Sequence, residues 1–154
     1  MQMIDESRGF AGNGDPQQPP HSASPAALFE PNRVLVVGKS QINRIVVCRI
    51  VERGGFKSRS EPPEDADAVL RRSIPGTVIL DGGANNSDCD ELLARLQSLR
   101  TQSPEGYPRV ILLSNRMVYE DDRLAAHPTI DAVVAKPITP EGLQPVVDRL
   151  NGRQ

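Results

Sequence analysis

Four short motifs with polar or charged residues each follow an apolar segment of the chain. They are Gly38-Lys39, Asp81-Gly82, Ser114-Asn115 and Lys136-Pro137. A carboxylate such as that of Asp81 can accept a transferred group or bind a metal, a hydroxyl can donate to an anion, and an ammonium can offset negative charge. Each residue also has a simpler interpretation, because Asp and Ser often do no more than cap turns. The chemistry therefore depends on whether the fold brings the four motifs together.

The apolar segments alternate with segments of helical periodicity. Strands are predicted at 33–37, 56–60, 77–80, 109–113 and 130–135. Helices are predicted to begin at Gln41, at Pro62-Pro63, at Asp88 or Asp90, near Val118 and at Pro140 after the capping residue Thr139. Pro145 falls inside the last helical pattern, so that helix is kinked there or begins there. Five strands alternating with five helices predict an α/β fold with a doubly wound, five-stranded parallel sheet of the flavodoxin type.

In such a sheet, ligands bind in the crevice at the carboxyl ends of the strands. All four motifs follow strands, so they form one candidate site. The second strand is more polar than the others, which favours a place near the edge of the sheet.

Composition divides the chain into two parts. Residues 1–32 are rich in Pro, Gln and Ser and are expected to form a disordered tail, whereas residues 33–154 can form one core. The tail is acidic and the rest is nearly neutral, so no nucleic acid partner is expected. No apolar stretch is long enough to span a membrane, and no secretory signal is evident, so a cytoplasmic protein is expected.

Motifs of common nucleotide-binding and hydrolytic sites are absent. Gly38-Lys39-Ser40 resembles the end of a phosphate-binding P-loop, but Arg33 stands where that motif requires glycine. Neither a dinucleotide-binding glycine pattern nor a hydrolase nucleophile elbow is present. The two cysteines, Cys48 and Cys89, are interpreted as small core residues. The chain is therefore not expected to be an enzyme.

The order of these elements and residues resembles the receiver domain of bacterial two-component response regulators, over Arg33 to about Asn151. The resemblance implies that Asp81 is the phosphoacceptor position, that Ser114 is the switch hydroxyl and that Lys136 contacts the phosphoryl group. It also makes Lys136-Pro137 a candidate for a cis peptide bond.

The sequence also departs from the receiver pattern at three places. Receivers carry a magnesium-binding acidic pair after the first strand, and here Gly38-Lys39 replaces it, so no cofactor is expected. Val133 stands at the position of the aromatic switch residue, and Asn115 replaces a smaller residue. One hypothesis is that Lys39 substitutes for the metal in a Lys39–Asp81–Lys136 cluster. The alternative is that Lys39 points to solvent.

Three functions follow from the sequence. The first is a stand-alone, atypical receiver that signals through protein–protein contacts without magnesium or phosphorylation, with no output domain expected after Gln154. Its partner would be a histidine kinase, a phosphotransfer protein or a downstream regulator, bound through region 118–150. The second is a conventional receiver phosphorylated on Asp81. The third is a flavodoxin-like domain that binds a small molecule at the strand ends.

Overall fold

The computed structural model describes residues 27–83, 87–103, 105–115 and 127–152. The described residues contain five strands and four helices, and a helix follows every strand except the fourth. The strands are β1 (Leu28–Val37), β2 (Lys57–Glu61), β3 (Ser73–Asp81), β4 (Arg109–Ser114) and β5 (Ala132–Ala135), and the helices are α1 (Gln41–Arg53), α2 (Pro63–Arg72), α3 (Leu92–Gln102) and α4 (Pro140–Leu150). The helix predicted at 118–126 lies outside the described residues.

The strands form one parallel sheet in the order β2-β1-β3-β4-β5. This is the strand order of flavodoxin-like folds, in which the chain reverses direction across the sheet between β1 and β3. The predicted fold class is therefore confirmed. The polar strand β2 lies at the edge of the sheet, as its composition predicted.

The first strand is longer than predicted and begins at Leu28. Its first three residues pair with residues 73–75 of β3 before the register shifts. The Phe29 ring packs against Tyr107 with 5.1 Å between the ring centroids. This pairing lies within the segment 1–32 that the sequence analysis assigned to the tail, so the sheet reaches further towards the N-terminus than the β-branched run alone indicated.

One helix begins later than predicted, and the structure decides between the two possible starts of another. A turn occupies residues 88–91, so α3 begins at Leu92 rather than at Asp88 or Asp90. Helix α4 begins at Pro140 and continues through Pro145, because buried residues on both sides of Pro145 pack against the sheet. Among the described residues, none of the helices has the length and apolar character that a membrane span requires.

The core consists of two apolar layers, one on each face of the sheet. Helices α1 and α4 cover one face, and α2 and α3 cover the other. The central strands β1, β3 and β4 contribute to both layers and are buried on both faces, as expected for parallel strands with helices on either side. The central strands are thus held firmly, and their carboxyl ends are fixed relative to one another.

Candidate functional site

Asp81 is the last residue of β3 and is only 3% exposed. It lies beside Leu113 of β4, and Ser114 is the next residue along that strand. The backbone carbonyl of Ser114 accepts a hydrogen bond of 2.9 Å from the backbone N–H of Lys136. The sheet register therefore brings Asp81, Ser114 and Lys136 to one edge, as the predicted site requires.

Lys136 contacts Asp81 directly. Its Nζ donates to Asp81 Oδ1 at 2.6 Å, and the two side chains are 18% and 4% exposed. The backbone N–H of Gly83 donates to the same oxygen at 3.1 Å. The Lys136–Pro137 peptide bond is cis. A nearly buried carboxylate thus has a charged donor and a backbone donor on one of its oxygens.

Asn43 supplies the third donor to Asp81, and it is not among the site residues predicted from the sequence. Its Nδ2 donates to Asp81 Oδ2 at 3.0 Å from the first turn of α1. Ser40 caps that helix and accepts the backbone N–H of Asn43 at 3.2 Å. The available signal was the polar residue three positions after the cap, in a turn that begins at the carboxyl end of a central strand.

These contacts control the protonation of Asp81. Burial by itself would raise the pKa of Asp81, because the charged form loses its solvation. The hydrogen bonds from Lys136, Asn43 and the Gly83 N–H favour the charged form, and together they hold the pKa of Asp81 below its ordinary value. The site therefore contains an ionised, nearly buried carboxylate at neutral pH.

The predicted cluster of Lys39, Asp81 and Lys136 is wrong in including Lys39. The Nζ of Lys39 lies 3.5 Å from Asp88 Oδ1, and the Lys39 side chain is 68% exposed. Gly38 is the residue that faces Asp81, because a Cβ added to Gly38 would lie 2.8 Å from the Cβ of Asp81. The strand ends at Val37 and the chain bends at Lys39, and the Lys39 side chain is directed towards Asp88 instead of Asp81.

The other predicted positions lie on β4, on β5 and directly after β4. Ser114 is 2% exposed. Val133 is a partly buried residue of β5 that packs against the apolar layer under α2 and α3. Asn115 reaches across the site, and its Nδ2 donates to the carbonyl of Gly83 at 2.7 Å. Asn115 thus links the end of β4 to the turn that supplies the backbone donor of Asp81.

Cys89 lies behind the site and is 3% exposed. Its thiol contacts the carbonyl oxygens of Asp81 and Val37, with the sulfur at 3.4 Å and 3.7 Å. Burial raises the pKa of Cys89 to about 12, and the nearby negative charges of Asp81 and others add to the effect. The thiol is protonated at neutral pH, which agrees with its interpretation as a core residue.

A groove of about 590 Å³ lies beside the site, between the ends of α2 and α3. Its charged lining residues are Lys39, Glu64, Asp67, Asp88 and Glu91. Asp67 is engaged by Arg71 and Arg95. Asp81, Ser114 and Lys136 do not line the groove. The groove is therefore adjacent to the Asp81 site and separate from it.

Comparisons of sequence relate part of the chain to a known regulator. No protein-family model matches the sequence. The chain is 34% identical over 88 residues to BvgA, a virulence-factor positive transcription regulator of Bordetella pertussis and of Bordetella bronchiseptica. The match covers 55% of this chain and 39% of BvgA, so the chain spans well under half of that regulator's length.

Comparisons of structure relate about four fifths of the chain to receiver domains. The chain matches chemotaxis protein CheY4 of Vibrio cholerae with a TM-score of 0.63 and 19% identity, covering 82% of this chain and 99% of CheY4. A response regulator of Thermotoga maritima matches with a TM-score of 0.64 and 22% identity, covering 80% and 98%. The receiver domain of sensor histidine kinase PA1611 of Pseudomonas aeruginosa, solved with magnesium in its active site cleft, matches with a TM-score of 0.59 and 19% identity, covering 79% and 98%. The fold of this chain is the fold of response regulator receiver domains.

Proposed function

We propose that this chain is a receiver module of two-component or phosphorelay signalling that acts through protein–protein contacts, without magnesium and without phosphorylation of Asp81. The receiver fold and the 88-residue similarity to BvgA support the signalling class. The chemistry around Asp81 supports the departure from the conventional mechanism.

The observation that carries the proposal is the set of donors on the Asp81 carboxylate. Lys136, Asn43 and the Gly83 N–H all present hydrogens to it. Magnesium needs oxygen ligands in an octahedral shell, and N–H donors cannot ligate it. Asp88, the acidic side chain that Lys39 contacts, is already paired. Among the described residues there is no group of three or more His, Cys, Asp or Glu side chains placed to hold a metal. These donors support a site that works without magnesium.

The partner we propose is a histidine kinase, a phosphotransfer protein or a downstream regulator, bound through region 118–150. The described part of that region includes Lys136 and α4. Lys136 lies between β5 and α4 and contacts Asp81, so a partner that moves this connection acts directly on the ion pair. The nearly neutral charge of the domain favours a protein partner over a nucleic acid.

A titration of the whole chain with magnesium, followed by a small phosphodonor, tests the proposal. Amide chemical shifts of Gly82 and Gly83 report on Asp81. We expect no saturable shift with magnesium and no rapid acylphosphate formation. Tight magnesium binding, or rapid phosphorylation that is lost in Asp81→Asn, contradicts the proposal. An Asp88→Asn variant is the matched control, because it removes weak cation binding in the groove without changing Asp81.

One observation favours the second candidate, a conventional phosphoacceptor. The Nζ of Lys136 lies 2.6 Å from Asp81 Oδ1, which is the relationship that the resemblance to receivers implies for the phosphate-contacting lysine. Phosphotransfer assays with purified histidine kinases discriminate between the two functions. Transfer to the wild-type chain and not to Asp81→Asn would establish this second function.

A further inference from the structure

Asn43 is held in place by the start of α1. The Oγ of Ser40 accepts the backbone N–H of Asn43, which is how an N-cap residue fixes the first turn of a helix. The side chain of Asn43 is half-buried and reaches Asp81 Oδ2 with its amide nitrogen at 3.0 Å. The amide must present its N–H₂ group, because its oxygen would face a negatively charged oxygen in the reverse orientation.

The two oxygens of Asp81 are not equally occupied. Oδ1 accepts from both Lys136 and the Gly83 N–H, which uses its two lone-pair directions. Oδ2 accepts from Asn43. Oδ2 therefore retains a lone pair and is the oxygen through which Asp81 can act as a nucleophile. Asn43 is the side chain that donates to that oxygen and sets its orientation.

We propose that Asn43 is a positioning residue that takes the place of a cation on Asp81 and restrains Oδ2 from attacking a phosphoryl donor. This inference rests on the proposed function, because it explains how Asp81 stays unphosphorylated while its acceptor geometry is retained. An amide donates to the carboxylate without adding charge, so Lys136 remains the cation that neutralises it. No exchangeable ion is then required to hold Asp81 in one orientation.

Phosphoramidate is a suitable probe, because it is small and needs no protein partner. In the reaction a bond forms between Asp81 Oδ2 and phosphorus, and the phosphorus–nitrogen bond breaks. The reacting form of phosphoramidate is protonated on nitrogen, so that nitrogen already carries three hydrogens, takes the electron pair of the broken bond and departs as ammonia. The product is an acylphosphate on Asp81. Donation from Asn43 lowers the electron density of Oδ2 and occupies space on that oxygen, and both effects oppose the first bond.

The central experiment compares wild-type protein with Asn43→Ala and Gln41→Ala. Gln41 lies in the same helical turn and is exposed, and its side chain forms no hydrogen bond in the described structure, so it is the matched control. Acylphosphate formation is followed by intact mass, with Asp81→Asn as the blank. We expect Asn43→Ala to react about tenfold faster than wild type, the factor set by loss of roughly one hydrogen bond to a charged group. Gln41→Ala should match wild type.

A spectroscopic measurement separates positioning from general stability. The carboxyl carbon chemical shift of Asp81 should change in Asn43→Ala and stay at the wild-type value in Gln41→Ala. Equal reactivity of Asn43→Ala and wild type, or an unchanged Asp81 carboxyl shift, overturns the inference. Rapid, magnesium-dependent phosphorylation of the wild-type chain contradicts the proposed function instead, so the two failures are distinguishable.

A second variant tests whether Asn43 takes the place of a cation, by exchanging its amide for a carboxylate. Asn43→Asp replaces the donor by a second carboxylate beside Asp81, and two carboxylates in contact attract a cation. We expect amide shifts at Gly82 and Gly83 to respond to magnesium in Asn43→Asp and not in wild type. An Asn43→Asp variant that folds but shows no response to magnesium counts against the idea that Asn43 occupies the place of a cation.

Discussion

Asp81 and Asp131 are two carboxylates with the same number of donors at opposite ends of the sheet. Asp131 lies directly before β5 and accepts from both terminal nitrogens of Arg100, at 2.9 Å and 3.1 Å, and from the backbone N–H of Val110 at 2.8 Å. Asp81 accepts from Lys136, Asn43 and the Gly83 N–H. Each carboxylate therefore combines one cationic side chain with one backbone donor.

The two sites differ in burial and in the elements that they connect. The Asp131 side chain is 20% exposed, and that of Asp81 is 4% exposed. Water can replace a lost partner at Asp131 and has little access to Asp81. The donors of Asp81 come from α1, from the turn after β3 and from the connection between β5 and α4, whereas Asp131 joins α3 to neighbouring strands. The charged form of Asp81 therefore depends more strongly on each of its donors than that of Asp131 does.

The largest expected effect comes from replacing the cation at each site with methionine, which keeps the aliphatic chain. Lys136→Met leaves a buried carboxylate without its counter-charge, so we expect a loss of about 3 kcal/mol in the free energy of unfolding. Arg100→Met leaves a carboxylate that water can reach, so we expect a loss of about 1 kcal/mol. Urea unfolding at neutral pH, followed by circular dichroism, measures both values.

A double-variant cycle with Asp81→Asn identifies the source of the larger loss. If Lys136→Met acts by exposing the charge of Asp81, it should cost much less in the Asp81→Asn background. Equal losses for Lys136→Met and Arg100→Met would show that burial does not distinguish the two sites.

An intermediate effect is expected from acid. The pKa of Asp81 in the folded chain is held below that of an unfolded aspartate, about 3.9, so its charged form stabilises the fold above that pH. This stabilisation is lost as the pH falls through the lower, folded pKa. Stability measured by urea unfolding between about pH 5 and pH 3 should fall more steeply for wild type than for Asp81→Asn. Parallel curves would indicate that the donors of Asp81 do not favour its charged form.

Much of the fold could be predicted because the strands and helices have distinct local patterns. The β-branched and aliphatic runs at 33–37 and 109–113 fall within observed strands, and Ser40 and Thr139 cap the helices that follow them. The placement of Asp81 beside the connection that carries Lys136 followed from the rule that parallel strands end at one edge.

The parts of the site that were missed depend on tertiary geometry. The hydrogen bond from Asn43 to Asp81 joins residues 38 positions apart in sequence, and no local pattern specifies a contact over that separation. Lys39 was assigned to the cluster because it follows the first predicted strand, at the position where receivers carry their acidic pair. Gly38 is the residue that packs on Asp81, and the direction of Lys39 depends on the bend that the chain makes directly after β1. The early start of β1 depends on pairing with residues 73–75, which lack a strong strand pattern.

The smallest expected effect is that of Lys39→Ala, and it tests whether Lys39 belongs with the buried site or with the exposed one. The side chain of Lys39 is 68% exposed and lies 3.5 Å from Asp88, so solvent screens the pair. We expect the free energy of unfolding to change by less than about 0.5 kcal/mol, and the carboxyl carbon shift of Asp81 to stay at its wild-type value. A loss close to that of Lys136→Met, together with a shift at Asp81, would mean that Lys39 does neutralise Asp81 in solution. Urea unfolding and carbon-detected NMR on the same sample separate these outcomes, because a change at Asp88 alone leaves the Asp81 signal in place.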